Sequence, residues 1–235
     1  MTKTLFASLN VYHDDDASRS AALNMAIDEA ILENATKPMI RFYRWERPAL
    51  SFGYFGKFSD VADYASARDL VRRWTGGGIV FHGEDLTYSI VIPRTDATFG
   101  ESSILIYRKS HEAIWRALAG CGQAAELAQG RDAALRRRKT AQRAVPTNVC
   151  FANPVRSDVL INGRKVAGAA QRWTRRGLLQ QGSIQQVDLT KDFADRFASE
   201  LTTKCDCKPL DQNLIARAQA IAQEKYATSA WLKRR

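Results

Sequence analysis

Long apolar runs are missing from this sequence, and none approaches the length of a membrane span. The opening residues, MTKTLFASLNVYHDDD, hold no apolar stretch of the kind that directs secretion. Together these absences predict a cytoplasmic protein without membrane contacts. Cysteine is sparse: Cys121, Cys150, Cys205 and Cys207 are the four. They make no paired C-x-x-C arrangement, and the single residue between Cys205 and Cys207 is poor spacing for a zinc knuckle. No metal site is therefore expected from side-chain motifs, and a reducing compartment argues against structural disulfides. Histidine is scarcer still; His13, His82 and His111 are the only candidates to partner a reactive cysteine. Acidic residues are the minority charge, 25 against 35 Lys and Arg, for a net charge of +10. An acidic partner protein, an anionic ligand and nucleic acid all fit that balance. Helix-turn-helix spacing, zinc fingers and RNP-type aromatic patterns are lacking, which makes a nucleic-acid-binding module the weakest of the three.

What is present is a chain of 235 residues with 45% apolar content, enough for a substantial core. Helical periodicity runs over residues 18–34, where Leu23, Ala26, Ile27, Ala30 and Ile31 recur and Asp16 is a candidate cap. Residues 40–45 and 49–52 read as strands, 61–70 as a short helix, 71–74 and 86–92 as strands. A strong helix covers 104–118, with His111 on its apolar face and Gly120 placed to cap it. Residues 130–148 read as a loop. Asn162-Gly163 predicts a hairpin between 158–161 and 165–171. A strand over 178–186 and helices over 193–201 and 214–226 complete the chain. Strands and helices do not alternate regularly, so the expected class is α+β around a mixed, largely antiparallel sheet.

Three places could carry chemistry. The stretch RRWTGGGIVFHG, from Arg72 to Gly83, sets three glycines between two strand-like segments. Amides at such a turn can surround an anion, and missing β-carbons admit a ligand. No Gly-Lys-Ser/Thr follows, so this is not a P-loop, and the spacing is not a Rossmann fingerprint. A plain tight turn and a ligand loop both remain open, and Arg72, Arg73 and His82 weigh toward an anionic ligand. Lys165 follows the hairpin turn and precedes four small residues, Ala167 to Ala170. It is either an exposed hairpin lysine or an ammonium placed to stabilise charge during acyl transfer. Cys150 follows a dense basic cluster and is either an activated thiolate or a buried small hydrophobe.

NMAIDEAIL, RRWTGGGIVFHG, LTYSIVIP and GRKVAGAAQRW, in that order and spacing, resemble the lipoate–protein ligase and octanoyltransferase family of the biotin/lipoate protein ligase superfamily. The likeness covers roughly residues 23–184. It implies a mixed, largely antiparallel sheet flanked by helices, in a single catalytic domain over 1–235 without a C-terminal accessory domain. The acyl chain would lie in a tunnel. Ligand binding would fall on Arg72, Arg73, Thr75, Gly76, Gly77, Gly78, Val80, Phe81, His82, Gly168 and Ala169, and catalysis on Lys165. A ligase would use ATP and Mg²⁺ to form lipoyl-adenylate, then pass lipoate to an acceptor lysine. An octanoyltransferase would take octanoate from acyl carrier protein, form a thioester on Cys150 and need no cofactor. Gly78 is typical of the ligases and puts that reading first. Gln180 and Gln181 stand where ligases often carry a histidine, and the absent accessory domain implies either a separate accessory protein or no adenylation. Acceptors implied are a 2-oxoacid dehydrogenase lipoyl domain or the glycine cleavage H protein. Arg136, Arg137, Arg138, Lys139, Arg172, Arg175 and Arg176 would form a basic rim that steers acidic partners. A lipoyl-binding protein without turnover is a further alternative.

Overall fold

The computed structural model describes residues 4–129, 151 and 154–234. Cys150, the cluster Arg136 to Lys139 and the loop expected over 130–148 lie outside the described residues. The chain opens with β1 (Leu9–Arg19), α1 (Ala21–Asn34) and β2 (Met39–Trp45). β1 and β2 pair in parallel, which requires a crossover, and α1 supplies it. β3 (Ala49–Phe52), β4 (Asp69–Arg72) and β5 (Ile79–His82) form a small sheet in the order β4-β3-β5. Then come β6 (Leu86–Pro93), α2 (Ser103–Gly120), β7 (Ala125–Leu127), β8 (Val159–Ile161), β9 (Arg164–Trp173) and β10 (Gly177–Ile184). The chain finishes with α3 (Phe193–Leu201), β11 (Cys205–Cys207), α4 (Gln212–Ile221) and a short α5 (Ser229–Leu232).

Among the described residues the main sheet has eight strands in the order β11-β1-β2-β6-β10-β9-β8-β7. Only the two pairings of β1 are parallel; the rest are antiparallel. This is the mixed, largely antiparallel sheet flanked by helices that was expected. Strand alternation divides the core in two. Ile40 and Phe42 of β2 turn toward α2 and α3, while Met39 and Tyr43 turn toward α1 and α4. β6 and β10, covered on both faces, are buried along their whole length. That double covering is why LTYSIVIP reads as almost continuously apolar. Asn162 and Gly163 adopt positive φ, 50° and 72°, as the expected hairpin between β8 and β9 demands.

Several local expectations differ from the structure. β1, Leu9–Arg19, is a strand across an acidic run to which the sequence assigned no element, and it takes the first residues of the helix expected over 18–34. Asp14 is buried there because Arg41 donates to it at 2.6 Å and Arg19 at 2.8 Å. Arg41 also donates to Asp28 of α1 at 2.9 Å, so the buried charges are mutually satisfied. Asp16 lies inside β1, and the α1 cap is Ser20, whose hydroxyl accepts from the Leu23 amide. Residues 61–70 form no α-helix; two short 3₁₀ turns, Phe58–Asp60 and Ala62–Tyr64, lead into β4. This stretch offers a single fully buried apolar side chain, Val61, too little to anchor a longer helix. α2 runs through Gly120, and Cys121 caps it. α4 ends at Ile221 and continues to Tyr226 as a wider π-type turn. No helix among the described residues is long and apolar enough to cross a membrane.

Candidate active site

A cleft opens between the small sheet and the middle of the main sheet. It encloses about 470 Å³, part of it open to solvent, a size suited to a small-molecule ligand. Met25, Tyr43, Trp45, Val80 and Phe151 give it apolar walls, and Arg73, His82 and Lys165 bring polar groups into it.

Lys165 reaches this cleft through an irregularity in β9. Leu160 pairs with Lys165 but Val159 pairs with Ala167, so Val166 is an extra residue in the ladder. A bulge of this kind shifts the alternation and re-aims a side chain. It puts Lys165 and Gly168 on one face. The lysine then lies across the glycine: a β-carbon at Gly168 would sit 2.5 Å from Nζ and 2.3 Å from Cε. The ammonium is buried and bonds Asp158 at 2.8 Å. Asp158, itself fully buried, also accepts from the Tyr107 hydroxyl at 2.5 Å and the Val155 amide at 2.7 Å. Burial, together with the Asp158 charge, holds the Tyr107 phenol well above its usual range, so it stays a donor. The face of Phe151 stands 5.4 Å from the ammonium.

At the other end of the cleft the three glycines form the turn between β4 and β5. Gly77 has φ of 88°, a conformation open to glycine and strained for other residues. Arg73 clasps this turn, donating to the carbonyls of Gly76 at 3.1 Å and Gly78 at 2.8 Å. Its other nitrogen donates to Ser51 at 2.6 Å. With that lone pair occupied, the Ser51 hydroxyl donates onward to His82 Nε2, 2.6 Å away. His82 Nδ1 bonds Asp85 at 2.8 Å, and Trp45 stacks on the ring with centroids 4.0 Å apart. Asp85 accepts in addition from Ser183, Thr87 and the Gly83 amide. Burial pushes the His82 imidazole below its ordinary value, so it is neutral with the proton on Nδ1. Burial also works against the Asp85 carboxylate, but the His82 ring, the Ser183 hydroxyl and the Gly83 amide outweigh it and hold the group at about 2.

Of the residues singled out from the sequence, Arg73, Val80, His82, Lys165, Gly168 and Ala169 line the cleft. Thr75 is buried beside it and donates to Gln181 at 2.8 Å. Arg72 faces away. Its guanidinium bonds the carbonyls of Trp231, Leu232, Arg234, Tyr54 and Gly56, so it holds the C-terminal segment rather than a ligand. Phe81 packs against Tyr64 and Arg68, outside the cleft lining. Arg172 lies over Tyr54 and Trp74, Arg176 reaches Glu33 at 3.5 Å, and Arg175 is exposed. Sequence reasoning missed Ser51, Asp85, Tyr107 and Asp158. Asp85, three residues after His82, had a readable signal; the others come from distant segments.

The lipoyl protein ligase A/B catalytic domain family matches residues 20–225 of the chain. The chain belongs to that family. Octanoyltransferase LipM of Carboxydothermus hydrogenoformans is 39% identical over 194 residues, 76% of this chain and 66% of that protein. Octanoyltransferase LipM of Oceanobacillus iheyensis is 36% identical over 178 residues, 72% of this chain and 62% of that protein. The chain thus spans slightly less than two thirds of these curated relatives. Among solved structures, a bipartite lipoate protein ligase from Thermoplasma acidophilum, described with its E2 lipoyl domain, shares the fold. Its TM-score is 0.67 at 20% identity, covering 97% of this chain and 96% of that one. The Lys165 cleft of this lipoyl ligase-family chain therefore sits in the domain that the family comparison matches.

Proposed function

We propose that the protein transfers an octanoyl group from an acyl carrier to a lysine of an acceptor domain, through a thioester on Cys150. The observation that carries this reading is the buried Lys165 ammonium in an apolar cleft walled by Phe151, the residue directly after Cys150. A nearby ammonium favours the thiolate form of a cysteine. The Cys150 thiolate attacks the carbonyl of the carrier thioester, and the carrier thiolate leaves. The acceptor amine then attacks the enzyme thioester, the Cys150 thiolate leaves, and the amine's proton passes to it or to solvent. Lys165 stabilises the oxyanion in both steps, and Asp158 holds the ammonium in place. The similarity to octanoyltransferases at 36 and 39% identity supports this chemistry over adenylation and reverses the order suggested by Gly78.

The described residues suit a nucleotide triphosphate poorly. Arg72 is committed to backbone carbonyls and Arg73 to the glycine turn and Ser51. The acceptor fitting this reading is an acidic lipoyl domain, and the acyl carrier protein supplies the donor. The test is intact-mass spectrometry after mixing the protein with octanoyl–acyl carrier protein. We expect an octanoyl adduct on the wild type that is absent from Cys150→Ser. ATP-dependent lipoylation of a lipoyl domain that survives Cys150→Ser, with no adduct, would establish a ligase instead.

A further inference from the structure

β11, the outermost strand of the main sheet, consists of Cys205, Asp206 and Cys207. Strand alternation turns both cysteines to one face and Asp206 to the other. β11 pairs in parallel with β1, with Cys207 beside Val11, so His13 follows one pleat further along the neighbouring strand. α3 packs on that same face, where Phe197 meets Phe42, and it brings Asp195 to the sheet edge. His13 Nε2 and Asp195 Oδ1 are 3.1 Å apart. One donor atom each from His13, Asp195 and Cys207 lie within 4.8 Å of one another. Cys205, beside Leu9 in the same pairing, lies two residues before Cys207 and so on the same face of the strand. The His13 ring is stacked on Phe42, centroids 5.8 Å apart, which restrains its direction. None of these residues lines the acyl cleft.

We propose that His13, Asp195 and Cys207, with Cys205 as fourth ligand, form a zinc site at this edge of the sheet. Two thiolates, one imidazole and one carboxylate are ligands that zinc accepts in a closed tetrahedral shell. Zinc–ligand bonds of usual length put neighbouring donor atoms roughly 3.3 to 3.8 Å apart. The donor atoms of His13, Asp195 and Cys207 lie within 4.8 Å of one another, and Cys205 is to join them by rotation of its side chain on the same strand face. A disulfide between the cysteines is the poorer use of this geometry. Residues two apart on a strand have their β-carbons about 6.6 Å apart, whereas a disulfide needs about 3.5 to 4.5 Å. A metal ion spans the wider gap. It binds as the two thiols release their protons, and the ion joins segments that the chain separates widely: β1, α3 and β11. The arrangement is invisible to spacing rules because the ligands come from three elements.

Cobalt(II) is the probe, added to the reduced full-length chain. We expect one ion per chain, a sulfur-to-cobalt charge-transfer band, and displacement of cobalt by zinc. The band should persist in Cys150→Ser. Cys207→Ser should weaken binding at least about tenfold, and His13→Asn should weaken it as well. Zinc should raise the thermal midpoint of the wild type and raise that of Cys207→Ser by clearly less at the same concentration. His13→Asn should retain octanoyl transfer, which separates this site from the cleft. Absence of the band at stoichiometric cobalt, its survival in Cys207→Ser with undiminished intensity and affinity, or its loss in Cys150→Ser would each overturn the proposal. Far-ultraviolet circular dichroism on every variant confirms that lost binding is not lost folding.

Discussion

At the scale of single residues, the Lys165 end of the cleft depends on a missing methyl group. Lys165 occupies the space a side chain at Gly168 would fill. Gly168→Ala should therefore push the ammonium out of register with the acyl carbonyl. We expect octanoyl transfer to fall about 100-fold while the thermal midpoint changes little, because the displaced atoms are the flexible end of a side chain. Equal transfer rates for wild type and variant would refute this. Asp158→Asn tests the other half of the arrangement. It leaves a buried ammonium without its carboxylate, and we expect about 3 kcal/mol of destabilisation by denaturant unfolding together with impaired transfer. Arg73 and His82 are joined through Ser51, so Ser51→Ala should disturb the glycine turn although the serine lies outside the glycine motif.

At the scale of elements, α2 contains an acid-sensitive group. His111 is fully buried on this helix, and its Nδ1 bonds the Tyr107 carbonyl at 2.9 Å. Burial lowers its pKa from 6.5 to about 4. An unfolded chain takes up this proton near pH 6.5, whereas the folded chain resists until about pH 4. Stability from this group is therefore complete above pH 6.5 and declines as pH falls to 4, by about 3 kcal/mol. Denaturant unfolding across that range should show the decline, and His111→Leu should flatten it; an unchanged slope in the variant would exclude His111 as the source. Asp85 acts lower, with stability present above about pH 4 and lost toward pH 2. The placement of His111 in the core was readable from its helical face, as were β2, β6, α2 and the Asn162-Gly163 turn, because each has a local pattern. β1 was not readable: Asp14 in its acidic run is buried by Arg41, a partner that no local window includes. The same limit applies to the site. Lys165 was found by the small residues after it, but the bulge that aims it and the Asp158 that holds it are properties of strand pairing.

At the scale of the whole molecule, the excess of positive charge gives the protein a long-range preference for acidic partners. Arg175 and Arg176 are exposed at the turn between β9 and β10, two strands that line the cleft. Reversing both to glutamate should raise the KM for an acidic acceptor domain more than it alters kcat. The difference should shrink as salt is added. A KM that is indifferent to both charge and salt would leave these arginines as solubilising groups. Arg72 looked like a ligand contact beside Arg73, but strand alternation turns it to the opposite side, where the C-terminal carbonyls gather.

The parallel pairing of β1 with β11 also has a consequence for biosynthesis. β1 is made before β2 and finds it soon afterwards, yet its outer edge stays open until β11, far later in the chain, has been made. At ordinary elongation rates that interval is roughly 10 to 40 seconds. For that time a nascent chain presents unpaired backbone donors and acceptors to its neighbours on the same messenger. Crowded polysomes, more than the finished protein, are where this fold is exposed to aggregation, and the short strand β11 is the one that ends the exposure.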